Sequence, residues 1–374
     1  MSDTAGRLPS SQGFDHLIYL RVFEGCNLHC KHCFIPSNPK RMTQDHLAKV
    51  PDQIEGKIPH GSRILVQWHG GEPTLMGAEY IRSGIEHLRE HAPQYDWRHG
   101  IQTNLMSFDE TWAALYHEEF GGEVGISWDP KIRLLNARAE DSHPEFNRRF
   151  EEKLSDLVSA GLTPYVVVTA AKTLFETFPN PFEFFQHWID RGVKHVHLER
   201  ITETGYARTN WQSVGLSNAE YSHTMSKWMK AYAAFLKASG PDAPFILSPF
   251  ENLLDSASSL NAGTARKHGC WSGACDTRYH TIDSQGYKFG CTALTSEQGN
   301  RGTNHNLDLG PDLKTKRELR TFDCHSCKFR PICSSGCLAL SFDDGSGECS
   351  GGSKLFQTAT ELAQSEKYRK AGIQ

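Results

Sequence analysis

The chain has 374 residues, with 40 Lys and Arg against 44 Asp and Glu, for a formal charge of −4. That length suggests two domains with an ample core, and the even charge balance leaves no basic footprint for nucleic acid. No apolar run approaches the ~18 residues that span a bilayer, and the polar N-terminus lacks the layout of a signal peptide, so we expect a cytoplasmic protein that binds neither nucleic acid nor membrane.

The first two-thirds alternates strand-like and helix-like segments. Leu17–Val22 is apolar and β-rich, and Thr43–Ile54 has helical spacing with Thr43 as N-cap. Ile64–Trp68 is followed by a helix near Ala78–His91, Trp97–Gln102 by one near Asp109–Glu119, and Val124–Ser127 by one near Glu145–Ala160. Pro164–Ala170 precedes a helix near Phe182–Arg191, and Val193–Arg200 a long one near Ala219–Ala238. Six such pairs predict an α/β fold, a partial and open (β/α)6 barrel with its site at the C-terminal strand ends. Residues 240–269 are rich in Pro, Ser, Asn and Gly and are expected to bridge to the C-terminal part. Beyond them come short strands, Thr277–Asp283 and Tyr287–Phe289, among cysteines, as in a small metal-stapled domain. Lys354–Gln374 has the look of a charged helical tail.

The eleven cysteines fall in two groups: Cys26, Cys30 and Cys33, then eight between Cys270 and Cys349. An odd count in a long chain without an export signal fits a reducing compartment in which thiolates hold metal. Cys26-x3-Cys30-x2-Cys33 supplies three thiolates directly after the first strand. Four ligands would close a zinc or iron–sulfur site, whereas three leave one iron of a four-iron cluster open. On spacing alone, a zinc site completed by His29 or His32 remains an alternative.

This loop, with Phe34 after it, resembles the signature of the radical SAM superfamily. Gly70-Gly71-Glu72-Pro73, at the end of the second strand, resembles that family's Gly-Gly-Glu-Pro motif. The resemblance implies that the open iron chelates S-adenosylmethionine (SAM) and that the Glu72 turn binds its amino group. Glycines permit a close backbone approach and Glu72 can accept from an ammonium. By the same resemblance Gln102, Asn104, Ser127 and Leu198 join Phe34, Gly70, Gly71, Glu72 and Pro73 in the SAM site, with Thr169 nearby. Trp68, His69, Trp128, Glu199, Arg200 and Glu203 are expected toward the substrate cavity.

Downstream, Cys275-x10-Gly286-x4-Cys291 and Cys324-x2-Cys327-x5-Cys333-x3-Cys337, closed by Cys349, resemble the SPASM extension of radical SAM enzymes that modify peptides and proteins. That family's crossed arrangement implies one auxiliary cluster on Cys270, Cys275, Cys291 and Cys337 and another on Cys324, Cys327, Cys333 and Cys349. Three [4Fe–4S] clusters then use every cysteine. A pair of zinc sites is the alternative for these cysteines taken alone. The implied domains are a barrel over 14–239, a bridge over 240–269, the auxiliary-cluster domain over 270–352 and a tail over 353–374.

The resemblance implies an oxidoreductase that cleaves SAM to a 5′-deoxyadenosyl radical and oxidises, by our reading crosslinks, side chains of a ribosomally made peptide. Sulfatase-maturing relatives carry an Asp base directly after the cysteine ending the Gly-x4-Cys segment; Thr292 stands there instead. Asp276, His280 and Asp283 are the acid–base candidates nearby, with Tyr279 beside them. The first strand starts by residue 17, which leaves no room for an N-terminal leader-binding domain, so recognition of a ribosomal peptide is expected to use the barrel, the bridge or a separate leader-recognition protein. A flavodoxin or ferredoxin as electron donor is another. The alternatives are a small-molecule dehydrogenase of the same chemistry and a sulfatase-maturase-like protein oxidase.

Overall fold

Residues 163–170 alternate half-buried and buried side chains, the period-two pattern of a strand with one covered face. The computed structural model describes residues 13–35, 40–135, 142–240, 245–276, 278–294 and 311–365. Its elements begin with β1 (His16–Phe23), α1 (Gln44–Ala48), α2 (Val50–Ile54), β2 (Arg63–Gly70), α3 (Ala78–His91), β3 (Asp96–Thr103) and α4 (Glu110–Glu119). They continue with β4 (Glu123–Ser127), α5 (His143–Ser159), β5 (Thr163–Ala170), α6 (Lys172–Thr177), α7 (Pro181–Ile189), β6 (His195–Arg200), α8 (Tyr206–Val214) and α9 (Asn218–Ser239). The C-terminal part holds β7 (Ile246–Ser248), α10 (Phe250–Asn261), β8 (Tyr279–Ile282), β9 (Lys288–Phe289), α11 (Pro311–Asp323) and α12 (Ser353–Gln364).

The strands form one nine-stranded sheet in the order β7-β6-β5-β4-β3-β2-β1-β8-β9. Every pairing is parallel except the β8–β9 hairpin. The expected six-unit parallel architecture is present. Helices cover one face, where Ile18, Leu20, Val66, Trp68, Val166 and Leu198 enter the main core. The alternate residues line the other, concave face. Among the described residues no helix is long and apolar enough to cross a membrane.

Several expectations need correction. The helix expected over Thr43–Ile54 is two short ones, because Pro51 forces a fresh start at α2, although Thr43 does cap α1 by accepting from His46 N at 3.2 Å. Helices α6 and α8 have no counterpart in the sequence reading. The bridge is not plain loop: β7 extends the sheet beside β6 and α10 packs under the core. The cysteine-rich part is not a separate layer either, since β8 pairs with β1, Leu17 opposite Tyr279 through Leu20 opposite Ile282. In the tail, α12 ends at Gln364 and packs its Leu355, Phe356 and Ala359 into the main core; residues 366–374 lie outside those described.

Candidate functional site

Register brings the two motif loops together. β1 and β2 run abreast until Phe23 meets Gly70, so the cysteine loop and the Gly70–Pro73 turn leave the sheet side by side. Gly71 N donates to Phe23 O at 2.6 Å and Glu72 N to Gly25 O at 2.9 Å. A Cβ on Gly70 would stand 2.1 Å from Phe23 O, and one on Gly71 would stand 2.2 Å from Gly25 O. Gly70 also has φ +147°. The two glycines are therefore what allows the turn to lie directly on the cysteine loop.

Glu72 is 1% exposed. Its Oε1 accepts from Thr74 N (3.1 Å), Thr74 Oγ1 (2.7 Å) and Thr103 Oγ1 (2.7 Å), and Oε2 accepts from Asn104 N (2.8 Å). Burial raises its pKa against these four bonds, which favour the anion. The Glu72 carboxylate thereby fastens the end of β3 to the turn. Pro73 opens the 3-10 turn that follows.

The cysteine loop is held from its other side by the segment after β4. His29 N donates to Leu134 O and Lys31 N to Ile132 O, at 2.8 and 2.9 Å. Asp129, fully buried, accepts from Arg133 Nε at 2.8 Å and from Thr169 N at 2.5 Å, and lies 3.3 Å from His32 Nε2. Arg133 is so aimed that its guanidinium is 3.7 Å from Cys30 Sγ. Leu28 N and Asn104 Nδ2 point at Cys26 Sγ from 3.3 and 3.6 Å. Tyr206 N, at the start of α8, donates to Cys33 O at 2.8 Å. Sequence reasoning missed Asp129, Arg133 and Tyr206; a buried Asp–Arg pair at i,i+4 was the available signal.

These residues fit an iron–sulfur cluster. Donors aimed at sulfur are the outer-shell partners thiolate ligands take. Burial, then the Glu72 charge, pushes the Cys26 thiol up to about 12, and burial does the same for Cys30. Thiolates there call for a cationic metal. Among the described residues no three Cys, His, Asp or Glu side chains converge as ligands of a single ion would.

On the concave face, Gln102 Nε2 donates to Ser127 Oγ at 2.8 Å, and Phe34 packs near His69 with centroids 6.2 Å apart. Thr169 and Glu199 lie on the same face. Three expected residues do not. Leu198 is in the core between sheet and helices, as its pairing with buried Val168 requires. Trp68 packs over Gly84 of α3, and Trp128 stands edge-on to Trp188.

Four cysteines of the second group share one cavity. Cys324, Cys327, Cys333 and Cys349 line one small cavity of about 20 Å³ with Phe329, Phe342 and Phe356 around it. A Cβ on Gly351 would come 3.1 Å from Cys333 Sγ and 3.6 Å from Cys349 Sγ, so a glycine keeps that cradle open. Cys270 is exposed by surface area, although the atoms around its sulfur desolvate the thiol. Its thiol is raised by burial, then by Glu199, Cys337, Cys291 and Cys275, which places its expected co-ligands nearby. Arg317 lies 3.3 Å from Cys275 Sγ, and no cysteine is in a disulfide.

The acid–base candidates fare less well. His280 shares the covered face with Ile18, its β1 partner, and meets His16 across 3.1 Å, so it turns away from the concave side. Asp283 accepts from Gln285 N and Tyr287 N at 2.9 and 3.0 Å and so builds the β8–β9 turn. Asp276 sits in the 3-10 turn Ala274–Asp276; its side chain lies outside the described residues.

Residues 20–129 match the Radical SAM superfamily model. The chain is 20% identical over 332 residues to the cysteine-type anaerobic sulfatase-maturating enzyme of Clostridium perfringens, covering 84% of this chain and 86% of that one. It is 27% identical over 131 residues to the serine-type enzyme of Klebsiella aerogenes, a match to 34% of this chain and about a third (32%) of that protein's length. Native anSMEcpe with bound AdoMet superposes with TM-score 0.69 at 18% identity, over 93% and 96% of the two chains. Streptococcus suis SuiB bound to its precursor peptide SuiA does so with TM-score 0.53 at 14% identity, over 91% and 76%. The chain therefore carries a radical SAM domain over residues 20–129, followed by a cysteine-rich C-terminal part, in the fold shared with these radical SAM structures.

Proposed function

We propose that this protein is a maturase that oxidatively modifies a side chain of a peptide or protein, with SAM at the Cys26 loop and three [4Fe–4S] clusters on its eleven cysteines. The observation that carries this reading is the clamp between the three-cysteine loop and the Gly70–Glu72 turn at the C-terminal ends of β1 and β2. Bound there, SAM and the cluster would supply a hydrogen-abstracting radical. The chain's own part is positional. Asn104, Leu28 and Arg133 orient the Cys26 and Cys30 sulfurs, Glu72 locks β3 to the turn, and the concave wall of β3–β6 shields the reacting centre from water. Gln102 and Ser127 present polar groups toward bound SAM.

A peptide or protein substrate is supported by the company this fold keeps: a structure of anSMEcpe contains a Cp18Cys peptide and one of SuiB contains SuiA. We infer a crosslink as the product because Thr292 occupies the position where formylglycine-forming enzymes carry their base. The second reading, oxidation of Cys or Ser as in a sulfatase maturase, is favoured by the sulfatase-maturating relatives.

Anaerobic co-expression with peptides encoded beside the gene, followed by mass spectrometry, tests both. Loss of two hydrogens from one peptide, without a hydrazide-reactive aldehyde and absent when Cys26, Cys30 and Cys33 are changed to Ala, is the expected result. An aldehyde selects the sulfatase-type reading. SAM cleavage with every candidate peptide and protein unchanged would overturn the maturase assignment.

A further inference from the structure

β6 sends His195, His197 and Glu199 to the concave face, because Val196 and Leu198 between them enter the core. Glu199 is the nearest of the three to the C-terminal strand ends. It pairs with Thr169, whose N donates to Asp129, the residue that braces the cysteine loop through Arg133 and His32. Among the described residues of β1–β6, the other carboxylates on this face are Asp96 and Glu123, and both begin their strands at the opposite end. The Glu199 side chain is 54% exposed and that of His197 24%, whereas Ser248, beside His197 on β7, is buried.

These side chains form one line of hydrogen bonds. His197 Nε2 stands 3.2 Å from Glu199 Oε2, His197 Nδ1 2.9 Å from Ser248 Oγ, and His195 Nε2 3.1 Å from the same hydroxyl. Tyr165 stands edge-on to His195 with centroids 4.6 Å apart. Burial lowers the His195 pKa from 6.5 to about 3, which keeps that ring neutral. The order of protons then follows. An ionised carboxylate only accepts, so His197 donates from Nε2. Its Nδ1 must then accept, so Ser248 donates to it, and Ser248 Oγ in turn accepts from His195 Nε2. Every donor in the line points toward Glu199, and bonds in such a chain polarise one another. The line engages Oε2 and leaves Oε1 without a hydrogen-bond partner among the described residues. One oriented carboxylate oxygen thus faces the reacting end of the barrel, where neither Thr292 nor His280 nor Asp283 supplies a base.

We propose that Glu199 is the base that takes the proton lost by the substrate side chain, and that His197 and Ser248 are positioning residues that hold its carboxylate. The inference rests on the maturase reading. In forming a crosslink the peptide loses two hydrogens. One leaves as an atom and becomes part of 5′-deoxyadenosine. The other leaves as a proton to Glu199 Oε1, its electron reduces an oxidised iron–sulfur cluster, and the new bond joins the two side chains.

The test uses the anaerobically reconstituted holoprotein. With ¹⁵N-labelled histidine, NMR of the protein without peptide reads the ring tautomers, the His197 signals being those lost in His197→Gln. Wild type should show His197 protonated at Nε2 and bare at Nδ1, and Ser248→Ala should mix the two forms. The peptide that loses two hydrogens on co-expression, synthesised with deuterium at the modified carbons, reads the chemistry. Glu199→Gln should keep wild-type iron content and SAM affinity and still pass deuterium to 5′-deoxyadenosine, yet form product about 100-fold more slowly. Glu199→Asp should recover part of that rate. Product formed by Glu199→Gln at the wild-type rate, or a wild-type His197 protonated at Nδ1, would overturn the proposal and leave the maturase reading standing. A wild type that cleaves SAM and changes no peptide would overturn both.

Discussion

Replacing Gly71 by Ala puts the clamp at the centre of the site to a quantitative test. The added Cβ would stand 2.2 Å from Gly25 O and 2.6 Å from Gly25 C, both backbone atoms that cannot swing aside. An ordinary contact is about 3.5 Å, so turn and loop must part by roughly 1 Å. That movement strains two hydrogen bonds, Gly71 N to Phe23 O and Glu72 N to Gly25 O. At about 0.5–1 kcal/mol for each bond, plus about 1–2 kcal/mol of overpacking, the closed arrangement loses about 2–4 kcal/mol. If SAM is held across the two loops, its affinity should fall roughly 30- to 1,000-fold. Calorimetry of SAM binding to the anaerobically reconstituted variant measures this. Gly161→Ala is the control: with φ +76° and nothing within 4 Å, it should cost about 1 kcal/mol of stability from backbone strain and leave SAM affinity alone. A Gly71→Ala protein that binds SAM within twofold of wild type would refute the clamp.

Asp129→Asn leaves Arg133 buried without its anion, a loss of about 3–5 kcal/mol; the variant should melt earlier and lose the first cluster before the others, and adding Arg133→Met should restore part of the stability. Glu348 accepts from Cys349 N, Ser353 N and Ser353 Oγ at 2.9, 2.9 and 2.7 Å and from Lys354 N at 2.9 Å, capping α12 and fixing Cys349. Glu348→Ala should therefore cost about 1–3 kcal/mol and reduce iron retained at the Cys349 site, with equal iron in variant and wild type as the contrary result. Lys288 is fully buried with Nζ donating to Gln53 O at 2.5 Å, and burial, then Lys57, lowers its pKa from 10.5 to about 7. Between those values the unfolded chain binds the extra proton, so this lysine makes stability rise with pH, by up to about 1.4 kcal/mol per unit, levelling off below about pH 7. Denaturant melts of wild type and Lys288→Met between pH 7.5 and 8.5 should diverge by about that slope, whereas parallel curves would show that Lys288 is not buried neutral.

The parts of this fold that repeat a period or a spacing were legible in the chain. Residues 163–170 announce a strand, Ala78–His91 a helix, and the Cys26 loop with Gly70–Pro73 the meeting of two strand ends. What escaped depended on tertiary placement. Nothing local in Tyr279–Ile282 says that it pairs with β1, because parallel pairing across the intervening chain leaves no signature in either strand. α8 is a weak nine-residue helix with Asn and Thr inside it, ordered by docking Tyr206 N on Cys33 O. His280 and Asp283 looked chemical by residue type near a cysteine; their register turned one to the covered face and gave the other a turn to hold. Glu72 was marked by its motif, but its hydrogen bonds to Thr103 and Asn104 depend on where β3 ends beside the turn and left no local signature.

Iron counting and a 5′-deoxyadenosine assay on the anaerobically reconstituted protein bear most directly on the central assignment. Wild type should hold about twelve irons, four for each of three clusters, and release 5′-deoxyadenosine from SAM when reduced. Changing Cys26, Cys30 and Cys33 to Ala should leave about eight irons and abolish 5′-deoxyadenosine. SAM cleavage that survives the triple change, or a wild-type protein that binds zinc in place of iron, would contradict it.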